Sequence, residues 1–252
     1  QLPTQFNAGV SSTHNLWEGI SATEHFPSGA SSASYTLTIS KPVRQAAEVT
    51  RVEAELVNAL KILAATWPFA GGAHLTLTSR SVTQTPRFQS NAEAVLDAYR
   101  TALGRSVVSK SVSSSYEAIA GYRVPPLSNS AQIGAAAYHD FRIRLLLQYY
   151  HHAWLEYYAR SKVDRSSWFI SLFKVGEVLE DIYGSREKVQ NRLPATRSEW
   201  KQFAGFLNDH DLRHAQVNGV APVVSRNDVD TAYYVGREWI TRHLQMVGLP
   251  TA

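Results

Sequence analysis

The chain has 252 residues, of which 44% are hydrophobic and 18% are charged, so it can bury a sizeable core and is not a disordered segment. It has no cysteine, which excludes disulfide bonds, thiolate metal sites and cysteine nucleophiles, and its net charge of +4 permits an anionic partner without requiring one. No apolar run approaches the roughly 18 residues that span a membrane, and we find no signal segment. We therefore expect a cytoplasmic protein with no membrane partner.

Two segments of the first half alternate apolar and polar side chains. In residues 34–40, SYTLTIS, the apolar positions are Tyr35, Leu37 and Ile39. Residues 73–82 repeat the pattern through their leucines. A period of two is typical of a strand with one buried face, so both segments are predicted strands.

A helix is predicted between these strands, because apolar side chains recur there every three or four residues. These are Val49, Val52, Leu56, Leu60, Leu63 and Trp67. Pro68 and the glycine pair that follows at 71–72 predict its end. A capping-box pattern at Ser90 and Glu93 predicts a second helix. Residues 1–125 are thus predicted to form a mixed α/β region.

Residues 106–132 are rich in serine, contain two adjacent prolines and lack a sustained period. This composition favours a linker or a long surface loop. An extended segment packed on the core is the alternative, because Tyr116, Ile119 and Tyr122 are apolar. We place a domain boundary in this stretch, between residues 125 and 126.

The second half, residues 126–252, predicts a mainly helical bundle, so the overall fold class is α+β. The predicted helices cover residues 136–161, 166–184, 196–208 and 225–248. The first is aromatic on several sides, which favours a buried helix, and the second stops at Gly184. The last carries a stripe of core positions: Val229, Tyr233, Gly236, Ile240, Leu244 and Val247.

Several histidines lie near acidic residues in the sequence, as metal ligands often do. A zinc helix of hydrolases has two histidines four residues apart and a glutamate next to the first, and His151-His152 with Glu156 does not have this pattern. A ferritin-like metal site needs two Glu-x-x-His motifs, and the sequence has no such pair. The sequence contains the doublets His139-Asp140 and His210-Asp211. About one such neighbouring pair of a histidine and an acidic residue is expected by chance in a chain of this composition. The interpretation we favour is structural histidines, with no metal and no cofactor.

Three segments resemble bacterial helical proteins similar to the HEPN superfamily. They are SSWFISLFKVGEVLEDIYG, then FLNDHDLRHAQVNGVAP, then DVDTAYYVGREWITRHL, within residues 136–247. The resemblance implies a helical bundle that is often dimeric, and, in active members, a metal-independent ribonuclease. The family motif is an arginine, often a polar residue, and a histidine after four to six intervening positions. In such chemistry the arginine stabilises the phosphorane-like transition state and the histidine moves a proton.

Arg213 and His214 match the opening of that motif and are the candidate catalytic residues. The closing histidine is missing, because Asn218 and Gly219 stand near its place. The resemblance therefore implies RNA binding without efficient cleavage and leaves open whether the chain is an enzyme. It also implies a homo-oligomer. The candidate RNA contacts are Arg142, Arg144, Arg237 and Arg242.

Two other arginine–histidine pairs have a similar spacing, Arg144 with His151 and Arg237 with His243. About two such matches are expected by chance, so spacing alone identifies nothing. Arg144 and His151 share one helix face and either clamp a phosphate or line a packed interface. We favour the structural interpretation of both pairs.

Two further hypotheses remain. A non-enzymatic coat or scaffold protein would use the aromatic content in its subunit interfaces. A metal-dependent helical hydrolase rests on His139, His151, His152 and His210 and has the least support.

Overall fold

The computed structural model describes residues 10–26, 34–43, 45–71, 75–81, 113–118, 127–159, 168–193, 197–200, 203 and 226–252. Helices dominate these residues, and an antiparallel sheet accompanies them, which is an α+β architecture. No helix in these ranges is long and apolar enough to cross a membrane.

The sheet has five strands in the order β1-β2-β3-β5-β4, and every neighbouring pair is antiparallel. The strands are β1 (Val10–Asn15), β2 (Ser21–Phe26), β3 (Ser34–Ser40), β4 (Leu75–Ser81) and β5 (Ser113–Ala118). β3 and β4 confirm the two strands predicted from alternating side chains. The β1–β2 hairpin lies in a stretch for which no strand was predicted. β4 and β5 shift register between Leu77 and Ser79.

The helices follow a short 3₁₀ turn at Ala46–Glu48. They are α1 (Val49–Gly71), α2 (Leu127–His139), α3 (Phe141–Ala159), α4 (Trp168–Tyr183), α5 (Arg186–Arg192), α6 (Arg197–Trp200) and α7 (Arg226–Met246). α1, α4 and α7 confirm predicted helices, and Gly184 ends α4 with a positive φ of 86°. The helix predicted from Ser90 lies outside the described residues, as does most of the one predicted over 196–208.

The interpretation of residues 106–132 as a linker is wrong where the structure describes them. Residues 113–118 form β5, which pairs on both sides, with Tyr35 of β3 opposite Tyr116. The alternative of an extended segment therefore holds for this stretch. α2 then begins at Leu127, which is fully buried.

α1 lies at the centre of the molecule and contacts α2, α3, β3 and β4. The helix ends at Gly71, within the stop predicted from Pro68 and the glycine pair, and Pro68 lies inside its last turn. Proline removes one hydrogen bond from the last turn. Two carbonyls of that turn, which have no amide ahead of them within the helix, accept from elsewhere: Arg237 donates to the Pro68 carbonyl at 3.4 Å, and the Ala252 amide donates to the Phe69 carbonyl at 3.1 Å.

The helix predicted over residues 136–161 is divided at Asp140. Asp140 caps the start of α3, because its Oδ1 accepts hydrogen bonds from the amides of Arg142 at 2.9 Å and Ile143 at 3.3 Å. Burial opposes ionisation of Asp140, but these amides and the Arg142 guanidinium lower its pKa below the ordinary value. The negative cap is therefore stable at neutral pH.

The burial predicted for α3 holds on one of its sides. Its aromatic residues do not all face the core, since Phe141 is 59% exposed. Ile143, Leu146 and Tyr150 are buried on one side, and Gln148 and His152 face solvent on the other. The stripe predicted for α7 is buried at Tyr233, Gly236, Ile240 and Leu244, but Val247 is 49% exposed because it follows the end of the helix.

The buried core of the described residues is continuous from Trp17 to Leu244. Trp17 sits at the tip of the β1–β2 hairpin and packs against Gly134 of α2, on the far side of the predicted boundary. The division at residues 125 and 126 stays a prediction, and the packing shows that the two parts share a core.

Candidate functional site

A cavity of about 280 Å³ lies between α1 and α3, beside Ala137 of α2. The lining includes two small side chains of α1, Ala64 and Ala65. The buried residues form an apolar floor: Leu60, Ile62, Ala64, Ala65, Ala137 and Leu147. The small residues thus leave room that larger ones would fill.

Polar side chains surround this floor where the two helices reach the surface. α1 contributes Asn58 and Lys61, and α3 contributes four residues at helical spacing: Arg144, Gln148, His151 and His152. Lys61, Gln148 and His152 are exposed, whereas Asn58, Arg144 and His151 are partly buried. None of the described residues that line the cavity is acidic. We call this site, with its polar rim, the α1–α3 cleft.

Two cations of the cleft, Lys61 and Arg144, have no carboxylate partner among the described residues. Five cations elsewhere do form ion pairs: Lys41, Arg51, Arg142, Arg186 and Arg242. An ion pair satisfies a cation within the protein, so an unpaired cation beside a cavity is free to bind an external anion. The cleft therefore holds two cations that no carboxylate of the described residues pairs with.

Arg144 is positioned by an aromatic neighbour. Its guanidinium carbon lies 5.1 Å from the ring centre of Phe141, one turn earlier on α3. Stacking on a ring orients the planar guanidinium and leaves its N–H groups available at the edge. The nearby Tyr138 hydroxyl donates to Glu18 at 2.6 Å, and this bond raises the pKa of Tyr138 to about 12. Tyr138 therefore stays neutral beside the arginine.

His151 is a titratable side chain in the lining of the cleft. Its Nδ1 atom is buried and has no hydrogen-bond partner. Burial, with a smaller contribution from the neighbouring His152, lowers the pKa of His151 to about 4. The ring is consequently neutral at pH 7 and offers hydrogen bonding without charge.

The predicted catalytic residues Arg213 and His214 lie outside the described residues, as does His210.

Arg142, Arg237 and Arg242 are engaged within the chain rather than gathered at the cleft. Arg142 forms an ion pair with Asp140 at 3.5 Å, and Arg237 donates to the Pro68 carbonyl. Arg242 lies 3.6 Å from Glu199 and 3.9 Å from Glu238. Of the four predicted RNA contacts, Arg144 is the one that lines the cavity.

The second arginine–histidine pair, Arg237 with His243, does not form a joint site. His243 is 3% exposed, and its Nδ1 shares a 2.8 Å hydrogen bond with the Tyr183 hydroxyl. Burial lowers the pKa of His243 below the ordinary value. Its Nε2 is covered and unpaired, so this side chain belongs to the packing of α7 on α4.

Histidine and carboxylate side chains of the described residues form no group of three or more that could hold a metal ion. His139 is exposed, and its ring packs edge-on against Tyr138 at 5.3 Å. His151 is in the cleft without an acidic neighbour in the lining.

The chain matches no family model, no curated protein and no solved structure.

Sequence reasoning identified Arg144 and His151 as sharing a helix face but missed Lys61, Asn58 and Gln148. The position of Lys61 on the polar side of the α1 stripe is the signal that exists in the sequence. It does not show that α1 and α3, some 80 residues apart, are neighbours.

Proposed function

We propose that this protein binds RNA in the α1–α3 cleft and does not cleave it efficiently. The observation that carries the proposal is the pair of unneutralised cations, Lys61 and Arg144, beside a cavity with no acidic lining residue. Phosphate contacts supply most of the affinity in nucleic-acid binding, and arginine with lysine is the usual donor set.

The whole lining of the cleft and the resemblance of residues 136–247 to HEPN-like proteins favour RNA as the ligand. A simple anion needs the cations alone. The cleft adds an apolar floor and two amide side chains, Asn58 and Gln148, which suit a ligand that carries a ring as well as a phosphate. RNA meets both requirements.

Efficient cleavage is not expected from this site. Acid–base catalysis works best when the pKa of the catalytic group lies near the working pH, and the pKa of His151 is about 4. A neutral histidine at pH 7 has no proton to give to the leaving ribose oxygen. The missing closing histidine after Arg213 and His214 agrees with this conclusion.

The proposal is tested by fluorescence anisotropy of a labelled RNA with the wild type, Arg144→Ala, Lys61→Ala and the matched control Arg142→Ala. Arg142 lies on the same helix but pairs with Asp140. We expect Arg144→Ala and Lys61→Ala each to weaken binding about tenfold and to reduce the salt dependence by about one phosphate contact. Arg142→Ala is expected to bind within about twofold of the wild type. No binding by the wild type, or an equal loss in all three variants, rejects the proposal.

The same RNA is incubated with the protein and separated on a gel to measure cleavage. We expect the RNA to stay intact at neutral pH. Cleavage that depends on Arg213 or His214 would show an active ribonuclease and overturn the second half of the proposal.

Self-assembly as a coat or scaffold remains a separate prediction. The large apolar side chains exposed among the described residues include Ile170, Tyr234 and Met246, which belong to different helices or different positions along α7. Single exposed apolar residues are ordinary on a monomer surface. Light scattering distinguishes a monomer, a homo-oligomer such as a dimer, and a large assembly.

A further inference from the structure

We propose that the α1–α3 cleft accepts one unpaired nucleotide, with the base in the cavity and its phosphate on Arg144 and Lys61. This inference rests on the proposed function and specifies the form of RNA that the site selects, namely single-stranded rather than duplex.

The lining residues differ in burial, and this difference carries the inference. Ala137 and Leu147 at the floor are fully covered, Val57 and Arg144 are partly covered, and Lys61 is exposed. The cavity is therefore apolar inside and cationic at its mouth. A nucleotide has the same polarity, since its base has apolar faces and its phosphate is charged.

A duplex cannot use this cavity. Its bases are stacked and paired, so that it offers phosphates on the outside and only base edges in the grooves. An unpaired nucleotide can turn its base away from the strand, as it does in proteins that bind a flipped or splayed base. The volume of about 280 Å³ is at the lower end of ligand pockets and suits a single ring system.

Polar groups of the lining fit the edge of a base. Asn58 and Gln148 line the cavity from opposite helices, and amide side chains donate and accept hydrogen bonds at base edges. His151 adds a neutral ring in the same wall. A bare phosphate would leave all three of these groups unused.

The experiment compares a labelled single-stranded RNA with the same strand annealed to its complement. Competition follows with adenosine 5′-monophosphate and with ribose 5-phosphate, which has the phosphate and sugar but no base. We expect the duplex to bind at least about tenfold more weakly than the single strand. The nucleotide is expected to displace the RNA at concentrations at which ribose 5-phosphate does not.

A steric variant tests the cavity without changing charge. Ala64→Leu places a larger side chain in the floor, and Ala54→Leu makes the same change at an exposed position of α1. We expect Ala64→Leu to lose at least about tenfold in single-strand affinity and Ala54→Leu to retain it. Circular dichroism checks the fold, and Val57→Trp in the partly covered wall replaces Ala64→Leu if that variant does not fold.

The outcomes separate the two proposals. Equal affinity for single strand and duplex, with Arg144→Ala weakening both, overturns the single-nucleotide site and leaves RNA binding in place. So does an unchanged affinity of the folded Ala64→Leu and Val57→Trp variants. Binding of neither RNA rejects the proposed function and this inference with it.

Discussion

His151 shows how one covered ring nitrogen links the cleft to stability. Its pKa of about 4 in the folded chain lies below the value of an exposed histidine, because its Nδ1 is covered and lacks a partner. Protonation therefore favours the unfolded state, in which the ring is hydrated. The folded state keeps His151 neutral at a cost that increases as the pH falls.

We predict that the free energy of unfolding falls as the pH is lowered from about 6.5 to about 4, with His151 contributing up to about 1.4 kcal/mol per pH unit. Above this window the contribution of His151 is constant. Urea unfolding at a series of pH values measures the slope. His151→Leu is expected to reduce this slope by the equivalent of about one proton taken up on unfolding.

The matched control is His152→Leu, since His152 is the next residue and is exposed. This variant is expected to keep the steep dependence. If the wild type and His151→Leu have the same slope, His151 is not held neutral by burial, and the reason given for its poor acid–base catalysis fails.

Arg144 and His151 also show what the sequence can establish about a site. Helical spacing predicts that the two share a face of α3, and both line the cavity. The neutrality of His151 was not predictable, because it depends on the covering of Nδ1 by surrounding structure. Lys61 was missed for a similar reason, since its role depends on a neighbouring helix.

Among the helices, two glycines test how tightly these elements pack. A Cβ atom at Gly134 of α2 would lie 3.1 Å from Trp17 and 3.2 Å from Leu63. A Cβ atom at Gly236 of α7 would lie 3.4 Å from Phe203, which is an ordinary contact. An added methyl group would therefore overpack the position of Gly134 but not that of Gly236.

We predict that Gly134→Ala destabilises the protein by about 1–3 kcal/mol, because the rigid Trp17 ring has to move. Gly236→Ala is expected to be neutral or to stabilise by up to about 1 kcal/mol, because alanine is the better helix former. Chemical denaturation of the two variants measures the difference. A Gly134→Ala variant as stable as Gly236→Ala would show that the hairpin tip is loosely packed.

Local patterns predicted the helices better than their ends and faces. The apolar stripe of α1 is confirmed, and the helix continues through Pro68 to Gly71. Asp140 divides the next predicted helix, although no glycine or proline marks the place. Its capping hydrogen bonds are local, and a capping aspartate was the available signal.

At the scale of the whole molecule, the β1–β2 hairpin joins the sheet to the helices. Its turn has positive φ angles at Glu18 and Gly19, and it places Trp17 and Ile20 in the shared core. The Trp17 ring contacts α2 at Gly134 and lies 5.4 Å from Tyr138. Sheet and helices are thus expected to unfold together.

We predict a single cooperative transition for the wild type and a loss of about 3–5 kcal/mol in Trp17→Ala, because a large buried ring is removed. Hydrogen exchange of Trp17→Ala should show faster exchange in β1 and β2 than in α3. Two separate transitions in the wild type would instead indicate independently folding parts, as the boundary predicted at residues 125 and 126 implies.

Long-range pairing sets the limit of prediction at this scale. β3 and β4 were recognised from alternation, whereas β5 is serine-rich and was first interpreted as linker. Its place between β3 and β4 follows from hydrogen bonds to segments far away in the chain. The cleft has the same origin, since α1 and α3 meet only in the folded molecule.

We propose above all that RNA occupies the α1–α3 cleft. Lysine acetylation of the wild-type protein tests this proposal most directly. Lys61 lies at the mouth of the cleft, and Lys188 of α5 is exposed outside its lining, so each molecule contains its own control. The protein is treated with an acetylating reagent, with and without saturating single-stranded RNA. Mass spectrometry then measures the rate of acetylation at each of the two lysines. We predict that RNA slows acetylation of Lys61 several-fold and leaves that of Lys188 unchanged. Equal rates at Lys61 with and without bound RNA would contradict the account.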